Sequence, residues 1–184
     1  MLNLFVPTHL IKRMRLFCSQ METRTVINNT MCIRKIGEKE VEFAATDGQK
    51  LLVIRRGLDP TEVIDGEEFV IPIDNLPVKS KYLKYNLVVS IDTAAYNDGV
   101  NVFKFPRMQL KFPDYNKLVQ EILAVNKKAD SYTAFRWENL KAAEKVLDGT
   151  IWDVPVTNNN AYLWHKKNGA EDVTVVICSH LTND

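Results

Sequence analysis

No Cys-x-x-Cys pair, no glycine-rich phosphate loop and no apolar run of membrane-spanning length occurs in this sequence. Each absence removes a class of function. The three cysteines, Cys18, Cys32 and Cys178, are odd in number, widely spaced and set among apolar neighbours. They offer no disulfide framework and read as buried, reduced thiols. Histidine is equally sparse: His9, His165 and His180 lack ligand spacing, so no metal is expected. With seven glycines in all, neither G-x-x-x-x-G-K-[ST] nor G-x-S-x-G is present. That argues against P-loop nucleotide chemistry and the serine-hydrolase elbow. A membrane helix needs roughly 20 apolar residues, and no such stretch is found. Residues Met1 to Pro7 carry no basic segment ahead of their apolar positions. No secretory leader is therefore expected, and the chain is assigned to the cytosol, bacterial or that of a phage's host.

What remains is ordinary globular composition: 184 residues, 46% hydrophobic and 26% charged, with a net charge of +1. A chain of this length buries enough surface to fold without staples. The net charge argues against a wholly basic nucleic-acid coat. It does not describe how charge divides between faces.

The chain contains a repeat. Three segments share an apolar lead-in, a helix-like stretch with leucine at a fixed offset, and basic residues after it. The lead-ins are Phe5, Ile71 and Phe135, spaced 66 and 64 residues apart. Five residues on stand Leu10, Leu76 and Leu140, and ten residues on stand Arg15, Lys81 and Lys145. Thr8, Asp74 and Glu138 supply helix-start chemistry. Gly149 is a plausible stop for the third helix, whereas Pro77 weakens the second.

After each helix the pattern changes towards period two. Strands are expected at Thr25–Arg34, Val41–Ala45, Leu51–Arg55, Leu87–Ile91, Val100–Phe105, Met108–Phe112, Trp152–Val156, Ala161–His165 and Val173–Cys178. Asp47-Gly48, Asn97-Asp98-Gly99 and Asn168-Gly169 mark turns between them. Asn116 to Ala124 reads as a further helix. The unit is strand, helix, then about three strands, which makes the chain α+β.

Two segments carry a resemblance. Ala44-Ala45-Thr46-Asp47-Gly48-Gln49-Lys50-Leu51 resembles the A-T-D-G-H-R-L segment of the bacterial DNA polymerase III beta subunit, the beta sliding clamp. Lys111-Phe112-Pro113-Asp114-Tyr115 resembles that family's R-F-P-D-Y, and Val173 to Leu181 is similar to its closing strand, Y-V-V-M-P-M-R-L. The resemblance implies a DNA-clamp fold with antiparallel sheets outside and helices on one face. Residues 1–120 would form one complete clamp-like domain of two repeats, and residues 121–184 half of another. The chain would be a shortened, divergent clamp.

The family resemblance also implies non-enzymatic function: an oligomeric ring that encircles double-stranded DNA and binds a DNA polymerase and a clamp loader. Candidate DNA contacts are Lys12, Arg13 and Arg15 on the first helix, Lys79, Lys81 and Lys84 on the second, and Lys141 and Lys145 on the third. Lysine and arginine on phosphate give affinity without sequence reading, which a sliding protein requires. Solvated helix faces are the plainer account of the same residues. Positions matching the family's partner-peptide cleft are Arg24, Ile27, Thr46, Gly48, Gln49, Lys50 and Leu51, with Val176, Ile177 and Cys178 as the opposite wall. Gln49-Lys50 replaces His-Arg, and the helix after Tyr115 replaces a proline-containing segment, so an altered peptide preference is expected. A second reading stays open: a monomeric clamp-like adaptor or decoy that binds replication proteins without encircling DNA. Outward basic helices favour the clamp, and salt-bridged ones favour the adaptor.

Overall fold

The computed structural model describes the chain except at residues 22, 25, 26, 67, 79–83, 107, 126, 129–134, 149–154, 158–160 and 180–184. The first unit comprises β1 (Leu2–Pro7), α1 (Thr8–Arg15), β2 (Thr30–Ile36), β3 (Glu40–Thr46) and β4 (Lys50–Gly57). The second holds β5 (Val63–Ile64), β6 (Glu68–Pro72), β7 (Lys84–Val89), β8 (Thr93–Asn97) and β9 (Val102–Pro106). Then come α2 (Asn116–Val125), β10 (Lys127–Lys128), α3 (Trp137–Leu147), β11 (Val156–Thr157), β12 (Ala161–Asn168) and β13 (Glu171–Cys178).

The strands form two antiparallel sheets, and the first two units exchange β1 for β6. β1 joins the second unit's strands in the order β5-β1-β7-β8-β9, while β6 joins the first unit's strands in the order β10-β11-β12-β13-β4-β3-β2-β6. β4 pairs with β13 from Lys50↔Ile177 to Arg56↔Glu171, so the larger sheet runs without a break from the first unit into the third. The expected domain boundary at residue 120 falls inside α2.

Alternation decides which face is which. One face of β4 carries Leu52 and Ile54, and one face of β13 carries Val173, Val175 and Ile177. These pack with Leu4, Leu10, Met14, Phe43 and Trp164 into the main core. α1 and α3 sit on this side. α1 buries Leu10, Ile11 and Met14, and α3 buries Ala142, Ala143, Val146 and Leu147. Tyr85 and Tyr96 meet edge-on, their centroids 5.9 Å apart, beneath the smaller sheet. The opposite face of the larger sheet carries a second apolar cluster. It includes Ile27, Leu51, Val53, Val176 and Leu163, and is covered by Phe112, Tyr115 and Ile122.

Several expectations are corrected. No helix forms over Asp74–Val78. β6 ends at Pro72, Asn75 takes a left-handed conformation with φ of 56°, and Asp74 accepts a bond from the Asn75 amide. A turn of that hand cannot propagate a helix, and Pro77 removes a donor. Lys84 opens β7 rather than standing on a helix. Met108–Phe112 makes no strand. Met108 forms one isolated bridge with Val70, and the segment instead lies over the sheet, with the Phe112 amide donating to Glu68 at 2.7 Å. β2 begins at Thr30, five residues later than expected, because Asn29 is also left-handed, with φ of 49°. Asp148, with φ of 51°, ends α3, while Gly149 and Trp152 lie outside the described residues. β8 was not anticipated. Ala94 and Ala95 are weak β-formers, and pairing with β7 and β9 makes the strand.

Candidate nucleic-acid and partner interfaces

The basic residues of α1 do not act alike. Lys12 is exposed. Arg13 donates to Glu171 at 2.7 Å, which ties the first unit's helix to the β12–β13 hairpin. Arg15 turns inward. Its Nε donates to the Ile73 carbonyl at 2.9 Å, and a terminal nitrogen donates to the Leu76 carbonyl at 3.0 Å. Those carbonyls belong to the segment where no helix forms, so Arg15 satisfies backbone acceptors that lack a ladder partner. Burial pulls the Arg15 guanidinium below its ordinary value, against the opposing pull of Asp74.

On α3, Lys141 and Lys145 are exposed. The Lys141 ammonium stands 5.3 Å from the ring centroid of Trp137, which is 59% exposed. Lys166 donates to the Leu147 carbonyl at 2.8 Å, placing a cation at the negative end of the helix. Lys84 is exposed at the start of β7. Lys79 and Lys81 lie outside the described residues. Among the candidate DNA contacts on helices, Lys12, Lys141 and Lys145 are therefore the outward cations.

Glu171 takes a second contact, from His9 Nε2 at 3.7 Å. His9, and then Arg13, hold its carboxyl below the ordinary range, against partial burial.

The candidate cleft residues do converge. The turn Asp47-Gly48 joins β3 to β4 and is built from side chains. The Thr46 hydroxyl donates to the Lys50 carbonyl at 2.7 Å and accepts from the Gly48 amide at 3.0 Å. Asp47 accepts from the Gln49 and Lys50 amides and pairs with the Lys50 ammonium. Gly48 has φ of 91°, and a Cβ there would lie 2.9 Å from an Arg24 nitrogen, so Arg24 is laid across the glycine. Arg24 also donates to the Asp47 carbonyl. The far wall closes through the Cys178 amide, which donates to the Gln49 carbonyl at 2.8 Å.

Convergence does not leave an open floor. Ile27 is 9% exposed, Leu51 4% and Val176 1%. Ile177 points to the opposite face, into the main core.

Three rows of side chains cross this outer face, each read from the strand register. The first runs Val156, Leu163, Val176, Leu51, Thr46. The second runs His165, Thr174, Val53, Ala44, Cys32, Val70. The third runs Lys167, Asp172, Arg55, Glu42, Arg34, Glu68, alternating in sign over six strands from the third unit to the second. Arg55 Nε reaches Glu42 at 2.8 Å, and Arg34 Nε reaches Glu68 at 2.7 Å. Tyr115 stands over this row, its hydroxyl donating to Glu42 and its ring 4.7 Å from the Arg34 guanidinium carbon. The Lys111–Tyr115 segment is held on the sheet by these carboxylates. Sequence reasoning passed over them because Arg34, Glu42, Arg55 and Glu68 become neighbours only once the register is known.

Two antiparallel sheets that exchange strands, with α1 and α3 packed on their core side, form the sliding-clamp fold, and comparison with solved structures gives the same answer. The chain is similar to the DNA polymerase sliding clamp of Bacillus subtilis at 15% identity with a TM-score of 0.67, over 98% of this chain and 64% of that one. It is similar to the DNA polymerase III subunit beta of Pseudomonas aeruginosa at 15% identity and 0.65, over 98% and 66%. The Helicobacter pylori beta clamp bound to a DNA ligase peptide matches at 10% identity and 0.56, over 99% and 68%. The chain thus spans about two thirds of the length of these clamps. No protein-family model and no curated protein matches it. At these identities the likeness defines the fold.

Proposed function

We propose that this chain is a sliding-clamp module that holds a replication enzyme on duplex DNA without reading sequence. The observation that carries this is the clamp fold along 98% of the chain. Lys12, Lys141 and Lys145 contact phosphate non-specifically. A polymerase or clamp loader docks by a peptide on the outer face of the larger sheet; the similar Helicobacter pylori beta clamp is bound to a DNA ligase peptide. The role is topological rather than chemical, and it belongs in the cytosol. Residues 1–120 and 121–184 act as one and a half clamp domains, and several copies close the ring.

One observation favours the second reading, a monomeric adaptor. Arg13 is salt-bridged to Glu171 and Arg15 is turned inward, so two of the three α1 cations are withdrawn from DNA. Light scattering over a concentration series, followed by retention on circular and linear duplex, separates the two. A closed oligomer retained on circles and lost from linear ends supports the clamp. A monomer at every concentration that is shed from both substrates sinks it and leaves the adaptor.

A further inference from the structure

α3 offers to solvent an aromatic ring that phosphate contact alone does not need. Among the described aromatic residues only Phe5, at 42%, and Trp137, at 59%, are exposed. Trp137 opens a helix that is fixed from beneath. Ala142, Ala143, Val146 and Leu147 are buried, and Lys166 holds the far end through the Leu147 carbonyl. A large apolar ring left in water on a firmly seated element is the informative kind of exposure.

Trp137, Lys141 and Lys145 recur at every fourth residue and so form one line on the helix, in steps of about 6 Å. All three are exposed. The Lys141 ammonium lies over the ring, 5.3 Å from its centroid. Glu138 and Glu144 are exposed on either side of this line, so the two lysines alone give it only a modest hold on phosphate. The surroundings also speak against a protein anchor. Aromatic hot spots sit within a surround that excludes water, and charge is depleted at the centre of protein interfaces. Here Arg136, Glu138 and Lys141, the exposed neighbours of Trp137 along the chain and the helix, are all charged.

We propose that Trp137, with Lys141 and Lys145, is a stacking site for an unpaired base of single-stranded DNA. In a duplex the base faces are closed by their neighbours, whereas a single strand offers them to aromatic side chains. The base lies on the ring face away from Lys141, and the two lysines follow the backbone of the adjoining nucleotides. Stacking is tolerant of sequence because every base has a π-face, which suits a protein that does not read sequence. The delivery of a single strand to this side of the molecule rests on the clamp reading. The site itself rests on the geometry of α3.

The test uses the full chain and two fluorescein-labelled strands of equal length, an oligothymidylate and an abasic strand with the same phosphates, read by fluorescence anisotropy. The parent is expected to bind oligothymidylate about fivefold or more above the abasic strand, the size of one stacked base. Trp137→Ala should bring oligothymidylate down to the abasic level, and Trp137→Phe should keep part of the difference. Lys141→Ala should weaken both strands alike and reduce the slope of log affinity against log salt by about 0.7. Oligothymidylate should also quench the parent's tryptophan emission and leave that of Trp137→Phe unchanged. Unchanged melting curves establish that the variants are folded. Equal binding of the two strands by the parent overturns the proposal, as does no binding of either, a Trp137→Ala protein that binds like the parent, or quenching that persists in Trp137→Phe. Retention of the parent on circular duplex judges the clamp reading separately. A parent retained on circles but indifferent to bases sinks only the stacking site, and one that stacks bases but is shed from circles sinks only the clamp.

Discussion

Replacing Arg15 separates a DNA contact from a structural tie. If Arg15 reached phosphate, Arg15→Ala would weaken DNA binding and leave stability alone. In the structure its guanidinium serves the carbonyls of Ile73 and Leu76, both in buried residues. Removing a charged donor from a hydrogen bond costs about 1.5–3 kcal/mol, and an acceptor left dry costs about 1–3 kcal/mol. The side chain is half-buried, so solvent recovers part of this, and a net loss of about 3 kcal/mol is expected. For a chain of this size that lowers Tm by about 6–12 °C. Arg15→Lys keeps the charge but lacks the fork that spans two carbonyls, and recovers less than half the loss. Lys12→Ala should shift stability by less than about 0.5 kcal/mol while reducing the slope of log affinity against log salt by about 0.9. Chemical denaturation and a salt titration of duplex binding on the three variants decide the matter. An Arg15→Ala protein of parental stability, with binding rescued by Arg15→Lys, refutes the inward assignment.

Other outcomes follow from the same geometry. Glu62 accepts from both terminal nitrogens of Arg56 and from the amides of Phe5 and Asp59, and its side chain is 1% exposed. Glu62→Ala should cost about 3–5 kcal/mol in denaturant titration, whereas Lys117→Ala, breaking an exposed pair with Glu121, should cost about 0.5 or less. Burial opposes ionisation of Glu62, but Arg56 and the two amides outweigh it and hold the carboxyl below its ordinary value, as His9 and Arg13 do for Glu171. Both contributions are present above the ordinary carboxylate range and are lost as pH falls through the lowered folded values, so stability should hold in mild acid and drop once the pH falls below that range. A melt series from neutral pH downward that stays flat below that range removes those ties. Cys18 is 4% exposed and Cys32 1%; burial pushes the Cys18 thiol up to about 12 and raises Cys32 further. Only the half-buried Cys178 should react with a disulfide reagent before unfolding, and rapid labelling of all three would contradict the packing.

Much of the fold was legible where local chemistry and tertiary demand agree. Asp47-Gly48 and Asn97-Asp98-Gly99 gave true hairpin turns, with Gly48 at φ of 91° and Gly99 at 92°. The leucine offset marked three buried or part-buried positions, Leu10, Leu76 and Leu140, although only two stand on described helices. The second failed as a helix because Asn75 and Pro77 outweigh the pattern around them. Met108–Phe112 alternates like a strand, yet its amides and rings are claimed by Glu68 and the second apolar cluster. Charge was least legible. Arg13, Arg15 and Lys12 look equivalent in sequence, and only packing shows that one faces outward, one bridges units and one caps a loop.

The row from Lys167 to Glu68 acts as a register key. Hydrophobic alternation punishes a strand that slips by one residue, because every side chain changes face. It cannot detect a slip of two, which returns each apolar residue to the correct side. A slip of two at β4 would bring Val53 opposite Glu42 or Asp172 and carry Arg55 out of line with both. The alternating row therefore discriminates against the misalignment that the core would accept, and it does so at the seam where the third unit joins the first.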